Sequence, residues 1–321
     1  MCGIAGIRRF GPEPITEEQI KALLIANQRR GNHATGIALQ NPGEEIHILK
    51  NNEPAWNFTT SAAFKRFLAE HLREDTYVFL GHTRQATKGD PKEMSNNHPL
   101  YKDTTAVTHN GMIMNDDSLF ARLKLARQGQ VDSDIIRAIL DDEGITVQGV
   151  RKLRQELSGS AAIAAISNEF PGKLLLARSG NPLVLAGTEN QLIWSSEKNA
   201  IHLAMRPWVL RHGIWMQPTR VDVMWTAVSD HSAYIFDASG LSWHDEWKVA
   251  YTYNAPTYEV NKSYRTHRAR FYNDSQRDVV QCPNVKCGKW LPLKKEHKRM
   301  ALWELRCSYC KTDLAPEPEK V

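Results

Sequence analysis

The chain has 321 residues, 41% of them apolar and 24% charged, with a formal net charge of +5, a composition that reads as soluble and globular with a sizeable core plus an appendage. No apolar run reaches the length of a membrane span, and the start lacks a basic region followed by a long apolar stretch. A transmembrane segment and a secretory signal are therefore not expected, the cytoplasm is the expected compartment, and the five cysteines need an explanation other than disulfides.

In chain order, Met1-Cys2 comes first. A cysteine after the initiator methionine can become the mature amino terminus, with a thiol and an α-amine of pKa about 7.7–8.0 on one residue, a nucleophile beside its own base. A buried structural cysteine is the competing reading. Gly3 to Ile7 alternates small and β-branched residues and predicts a buried strand. Thr16 with Gln19 predicts a capping box, and Ile20, Leu23 and Leu24 predict a helix running to about Arg30. Residues 30–39 pass from a Gly-marked turn into a strand, with Glu45 to Lys50 as its hairpin partner. Phe64, Phe67, Leu68 and Leu72 mark a second helix. Tyr77 to Gly89 predicts an apolar strand that runs directly into a cationic, hydroxyl-bearing, glycine-closed loop suited to an anionic ligand.

Thr105 to Ile113 predicts a strand interrupted by Asn110-Gly111, which is either a turn or a pair of oxyanion donors, an amide side chain beside an unhindered N–H. Leu119 to Arg127 reads as a helix. Val131 to Asp134 reads as the cap of the next, with Asp132 and Asp134 as capping residues. A helical stripe follows at Val147, Val150, Leu153 and Leu157. Short apolar strands are then expected at 160–167, 173–178, 182–187 and 191–195, with a last one at Ser232 to Phe236. Strands, helices and strands again predict a layered α+β sandwich.

These segments, in this order, resemble the class II glutamine amidotransferases, over roughly residues 1 to 240. Met1-Cys2-Gly3-Ile4 is similar to the family's start and Arg30-Gly31 with Gly36-Ile37-Ala38 to its second motif. Gly81 to Thr87 with Asn97-His98-Pro99, His109-Asn110-Gly111 and Asp132-Ser133-Asp134 resemble the next three. Ala177 to Leu183 and Ser195-Ser196-Glu197 are most like the glucosamine-6-phosphate synthase branch. The resemblance implies a four-layer αββα N-terminal-nucleophile hydrolase that releases ammonia from L-glutamine. It implies Cys2 as nucleophile, Asn110 and the Gly111 N–H as the oxyanion hole, Arg84 on the substrate carboxylate and Asp132 on its ammonium. Thr87 is assigned to substrate binding, with a structural role as its alternative. Arg30 is read as a brace, and His82 and His98 as packed histidines. His33, Gln85, Lys88 and Asp134 depart from the family's usual residues, acidic, tryptophan, histidine and glutamate respectively.

The glutaminase domain is expected over 1–245, a linker or partner-binding arm over 246–278, a zinc-ribbon-like module over 279–313 and a tail over 314–321. Cys282-x4-Cys287 and Cys307-x2-Cys310 have the spacing of a tetrathiolate Zn2+ site. Lys262 to Asp313 carries thirteen Lys/Arg against five Asp/Glu, a local +8 that leaves the rest near −3. This basic module suits nucleic acid, an acidic partner subunit or plain solvation. The leading expectation is a glutaminase that feeds a separate ammonia-accepting synthase. The alternatives are an amidohydrolase of γ-glutamyl compounds and a nucleic-acid-binding protein with a relic hydrolase fold.

Overall fold

A computed structural model describes residues 2–205 and 230–250 in full, together with the backbones of short strands at 209–211, 214–216, 224–227, 279–281 and 290–292. The chain divides into two compact units, Met1–Thr252 and Tyr253–Val321. Cys282, Cys287, Cys307 and Cys310, and most of the expected arm and zinc module, lie outside the described residues.

The first unit opens with β1 (Gly3–Arg9), α1 (Glu17–Asn27), β2 (Ala34–Gln40), β3 (His47–Asn51), α2 (Ala55–Thr60), α3 (Ala62–His71) and β4 (Val78–Arg84). It continues with β5 (Thr105–Ile113), α4 (Asp116–Leu123), α5 (Asp134–Glu143), α6 (Val147–Glu156), β6 (Gly159–Ser167) and β7 (Leu174–Ser179). It ends with β8 (Val184–Gly187), β9 (Gln191–Ser195), α7 (Lys198–Met205), β10 (Val209–Arg211), β11 (Ile214–Met216), β12 (Met224–Ala227), β13 (Ser232–Asp237) and β14 (Gly240–Glu246). In the second unit β15 (Val279–Gln281) pairs antiparallel with β16 (Trp290–Pro292).

Two antiparallel sheets follow, ordered β12-β8-β9-β1-β4-β2-β3 and β14-β13-β7-β6-β5. The side-chain period of two divides each strand between two cores. Ala5, Ile7, Ile37, Leu39 and Phe79 pack with α1, α2, α3 and α7 residues, whereas Ile4, Ala38, Val78 and Leu80 face the second sheet. On the second sheet Ala162, Ala164, Leu174 and Leu176 face the first, and Ala161, Ile163, Leu175 and Ala177 pack with Ile135, Ile139, Val150 and Leu153 of α5 and α6. Helices, sheet, sheet, helices is the expected αββα order. Burial of both sheets on both faces is why their strands read as continuous apolar runs.

The capping box of α1 forms as expected: Gln19 N donates to Thr16 Oγ1 at 3.2 Å and Thr16 N donates to Gln19 Oε1 at 3.0 Å. β4 carries the strand into the cationic stretch as far as Arg84, because β1 and β2 flank it and pair with it as far as Thr83 and Arg84. Other expectations are corrected. Asn110-Gly111 is not a turn. Both residues lie inside β5, paired with Ala162 and Ala161. Neither Asp132 nor Asp134 is the cap residue of α5. Ser133 occupies that place and its side chain makes no capping bond. Ser232 to Phe236 is not the last strand, since β14 follows, and Trp247 and Val249 are buried in the helix-side core of the second sheet. The first unit therefore extends past 245. Among the described residues no helix is long and apolar enough to cross a membrane.

Candidate active site

Cys2 immediately precedes β1, an inner strand of the first sheet, and the surroundings of that strand end are pinned from several directions. Arg30 Nε donates to Cys2 O at 2.8 Å while its Nη1 pairs with Glu197 at 2.9 Å. Ile4 N donates to Ser196 Oγ at 3.1 Å, and Ser196 N donates back to Ile4 O at 2.9 Å. Arg30 is thus a brace, as read, and Glu197 is its counter-ion. The partly buried thiol lies against the Gln85 peptide, with Gln85 N donating to Sγ at 3.4 Å and Sγ 3.5 Å from Gln85 O. Burial pushes the Cys2 thiol up. The Gln85 N–H and, further down, Arg84 pull it back.

Cys2, Arg84, Thr87, Gly111 and Asp132 line one small cavity of about 20 Å³, together with Gln85, Lys88, His98, His109, Val131 and Ser133. Five of the six proposed catalytic and substrate-binding residues therefore share a cavity. The sixth, Asn110, precedes Gly111 and is 1% exposed, with a buried Nδ2 that has no hydrogen-bond partner among the described residues. Gly111 is required by close approach, because a Cβ there would lie 2.0 Å from Ser160 O. Asp132 Oδ2 accepts from Ile113 N at 2.6 Å, so one carboxylate oxygen is fixed to β5, the strand that carries Asn110 and Gly111.

Arg84 differs from its expected geometry. Its Nη1 donates to Asn97 Oδ1 at 2.7 Å, and Nη2 donates to Lys88 O at 2.7 Å and Gly89 O at 2.8 Å. Two of its five N–H groups, both on Nη2, hold the segment 85–89 closed, and either face of the guanidinium fork includes Nη2. Bidentate capture of a carboxylate therefore requires those carbonyls to move. The segment is also tied at Lys88, whose Nζ lies 2.7 Å from Asp116 Oδ2.

Three histidines cluster at the floor, where His98 and His109 line the cavity and His82 lies behind them. The His82 and His98 rings stack at 4.2 Å, His82 Nε2 meets His109 O at 3.1 Å, and His109 Nδ1 meets Ser133 Oγ at 2.7 Å. Burial lowers all three, His82 to about 3 and His98 well below the usual histidine range, so all are neutral near pH 7. They are packed groups, as read for His82 and His98. The His109–Ser133 link between β5 and the turn before α5 was not foreseen, although both residues fall within motifs quoted from the sequence. A larger cleft of about 470 Å³ lies alongside, lined by Ile25, Gln28, Arg29, Gly31, Asn32 and Gln85. It shares Gln85 with the cavity at Cys2 but contains no nucleophile, so the chemistry belongs to the smaller one. Among the described residues no group of three or more His, Cys, Asp or Glu is arranged to hold a metal.

Residues 82–203 match the model of the glutamine amidotransferase domain. The first unit is a class II glutamine amidotransferase domain. A glutamine–fructose-6-phosphate aminotransferase from Rhizobium leguminosarum bv. viciae is 30% identical over 254 residues, 75% of this chain and 37% of that protein. The enzyme of the same name from Thermotoga maritima is 32% identical over 193 residues, 57% of this chain and 30% of that protein. The chain thus matches only about a third of the length of these relatives. Among solved structures, the glutamine phosphoribosylpyrophosphate amidotransferase of B. subtilis has a TM-score of 0.55 at 19% identity, covering 77% of this chain and 49% of its own. A structure described as the allosteric regulatory enzyme of purine biosynthesis has a TM-score of 0.58 at 17% identity, covering 78% of this chain and 50% of its own. These likenesses place the amidotransferase unit in the N-terminal-nucleophile hydrolase fold.

Proposed function

We propose that the amidotransferase unit hydrolyses the side-chain amide of L-glutamine through a thioester on Cys2 and passes the ammonia to an acceptor held by a separate enzyme. The carrying observation is the convergence of a thiol, a guanidinium, a carboxylate and a strand glycine on one cavity. Removal of Met1 leaves Cys2 with a free α-amine, which takes the thiol proton as sulfur attacks the amide carbon. The tetrahedral oxyanion accepts from Asn110 Nδ2 and the Gly111 N–H. Collapse breaks the C–N bond, the α-ammonium returns the proton to the leaving ammonia, and water then cleaves the thioester to glutamate with the thiol restored. Arg84 and Thr87 take the substrate carboxylate. Asp132 takes the ammonium through the oxygen not held by Ile113. A cavity of about 20 Å³ is too small for an amino acid, so segment 85–89 opens for substrate to enter.

The test is glutamate release from L-glutamine by wild-type protein and Cys2→Ala, with the amino terminus checked by mass spectrometry. Cys2-dependent release is expected. A free Cys2 that releases no glutamate, alone or with a candidate partner, would overturn the reading. The names of the relatives make a hexose phosphate the first acceptor to try. The polar Gln85, where the synthase branch has tryptophan, favours a second reading, hydrolysis of a γ-glutamyl compound without transfer. Labelled ammonia trapped in an acceptor only when a partner is present separates the two.

For the second unit the proposal is a structural Zn2+ held by Cys282, Cys287, Cys307 and Cys310, supported by their spacing and by cytoplasmic residence as the proposed compartment. One zinc per chain, lost in Cys307→Ser/Cys310→Ser, is the expected elemental analysis, and full occupancy in that variant defeats it. The local +8 also supports nucleic acid as a further partner, to be read as salt-sensitive binding by the full chain.

A further inference from the structure

The turn between α1 and β2 presses directly on the peptide that touches the thiol. A Cβ on Gly31 would lie 2.4 Å from Arg84 C and 2.5 Å from Gln85 N, so glycine alone permits the contact. Two residues on, His33 grips the same segment twice. Its backbone N donates to Arg84 O at 3.0 Å, and its ring Nδ1 accepts from Ala86 N at 3.1 Å. These two bonds bracket Gln85, whose own N–H and carbonyl are the groups against Cys2 Sγ. An accepting Nδ1 puts the ring proton on Nε2, which faces the Gln85 side-chain amide at 3.4 Å and would meet its oxygen once the amide is turned.

We propose that His33 is a positioning residue for Cys2: its ring clips the peptide after Gln85, and so holds the Gln85 N–H against the sulfur and sets the closed position of segment 85–89. The role in turnover rests on the glutaminase reading above, whereas the effect on the thiol does not. The Gln85 N–H is a stronger partner for a thiolate than for a thiol, so holding it against the sulfur favours the reactive form of the nucleophile, whereas the Gln85 carbonyl accepts from the thiol alone and acts in the opposite sense. The same N–H lowers the thiol against the rise caused by burial. His33 itself is exposed and Ala86 partly so. Water can therefore satisfy the Ala86 N–H when the ring is removed, and the fold should not suffer.

The experiment compares wild type, His33→Ala and His33→Asn, since asparagine places an acceptor oxygen where the ring has Nδ1. The first readout is the pH profile of Cys2 alkylation by iodoacetamide, quantified on the amino-terminal peptide by mass spectrometry. The second is glutamate release. His33→Ala is expected to move the alkylation midpoint to higher pH and to lower kcat by about 10–100-fold, with thermal unfolding unchanged. His33→Asn is expected to stay near wild type in both. If His33→Ala alkylates and turns over like wild type, or if His33→Asn is as impaired as His33→Ala, the clip is wrong. A shifted alkylation profile in a protein that releases no glutamate even as wild type would keep the clip and reject the hydrolysis.

Discussion

Asn110 shows how a single side chain is set for chemistry rather than stability. Its Nδ2 is buried and has no hydrogen-bond partner among the described residues, which is unfavourable for a donor in a packed interior. Replacing it by alanine removes that donor instead of breaking a contact. Asn110→Ala is therefore expected to leave thermal stability unchanged or slightly raised while kcat falls by about 10²–10³-fold. Glutamate release and a melting curve on the same preparation check both halves, and a kcat close to wild type would remove Asn110 from the oxyanion hole. Arg84 is the converse case. Its assignment to a substrate carboxylate followed from motif and charge, but the guanidinium holds Asn97 Oδ1 and two loop carbonyls. Such contacts come from segment closure and carry no signal in residue type.

At the scale of elements, legibility followed the strength of local periodicity. The helices at 17–27, 62–71 and 147–156 had apolar stripes, and the Thr16–Gln19 box had a stereochemical reason to form, so the sequence was enough. The short α2, with Phe58 as its main buried anchor, offered too few turns to show a period. Ambiguity gathered where sheet pairing overrides local polarity. His82, Thr83 and Arg84 look like loop residues, yet strands on both sides satisfy their backbone, and Asn110-Gly111 looks like a turn but continues a ladder. These ambiguous stretches are also the site-bearing ones, because a strand that delivers polar groups to a cavity must break the apolar pattern that identifies strands. The turn at Asp132 was misread for a related reason. Its carboxylate reaches across to Ile113 N rather than to the adjacent helix, a contact between residues 19 apart in sequence.

For the whole molecule, the neutral histidine floor couples stability to acid. His82, His98 and His109 all have lowered pKa values in the fold, so the unfolded chain, with histidines near 6.5, binds protons first as pH falls. Their contribution is present above about pH 6.5 and is lost progressively as pH falls toward the folded values. Denaturant midpoints should drop between about pH 6.5 and 5, before most carboxylates titrate, and a flat profile across that window would contradict the burial of neutral rings. The floor also lies where the two sheets meet, with His82 on β4 bonded to His109 on β5. Cys2 precedes β1 of one sheet, and Asn110 and Gly111 belong to β5 of the other. The nucleophile and its oxyanion donors are thus mounted on opposite jaws, and the gap between them is filled by side chains such as Ala38, Ala106, Ala162 and Ala164. Those small residues act as shims. Their volume sets how far apart the two jaws rest, so the reach of the sulfur to its target is tuned by packing that never meets the substrate.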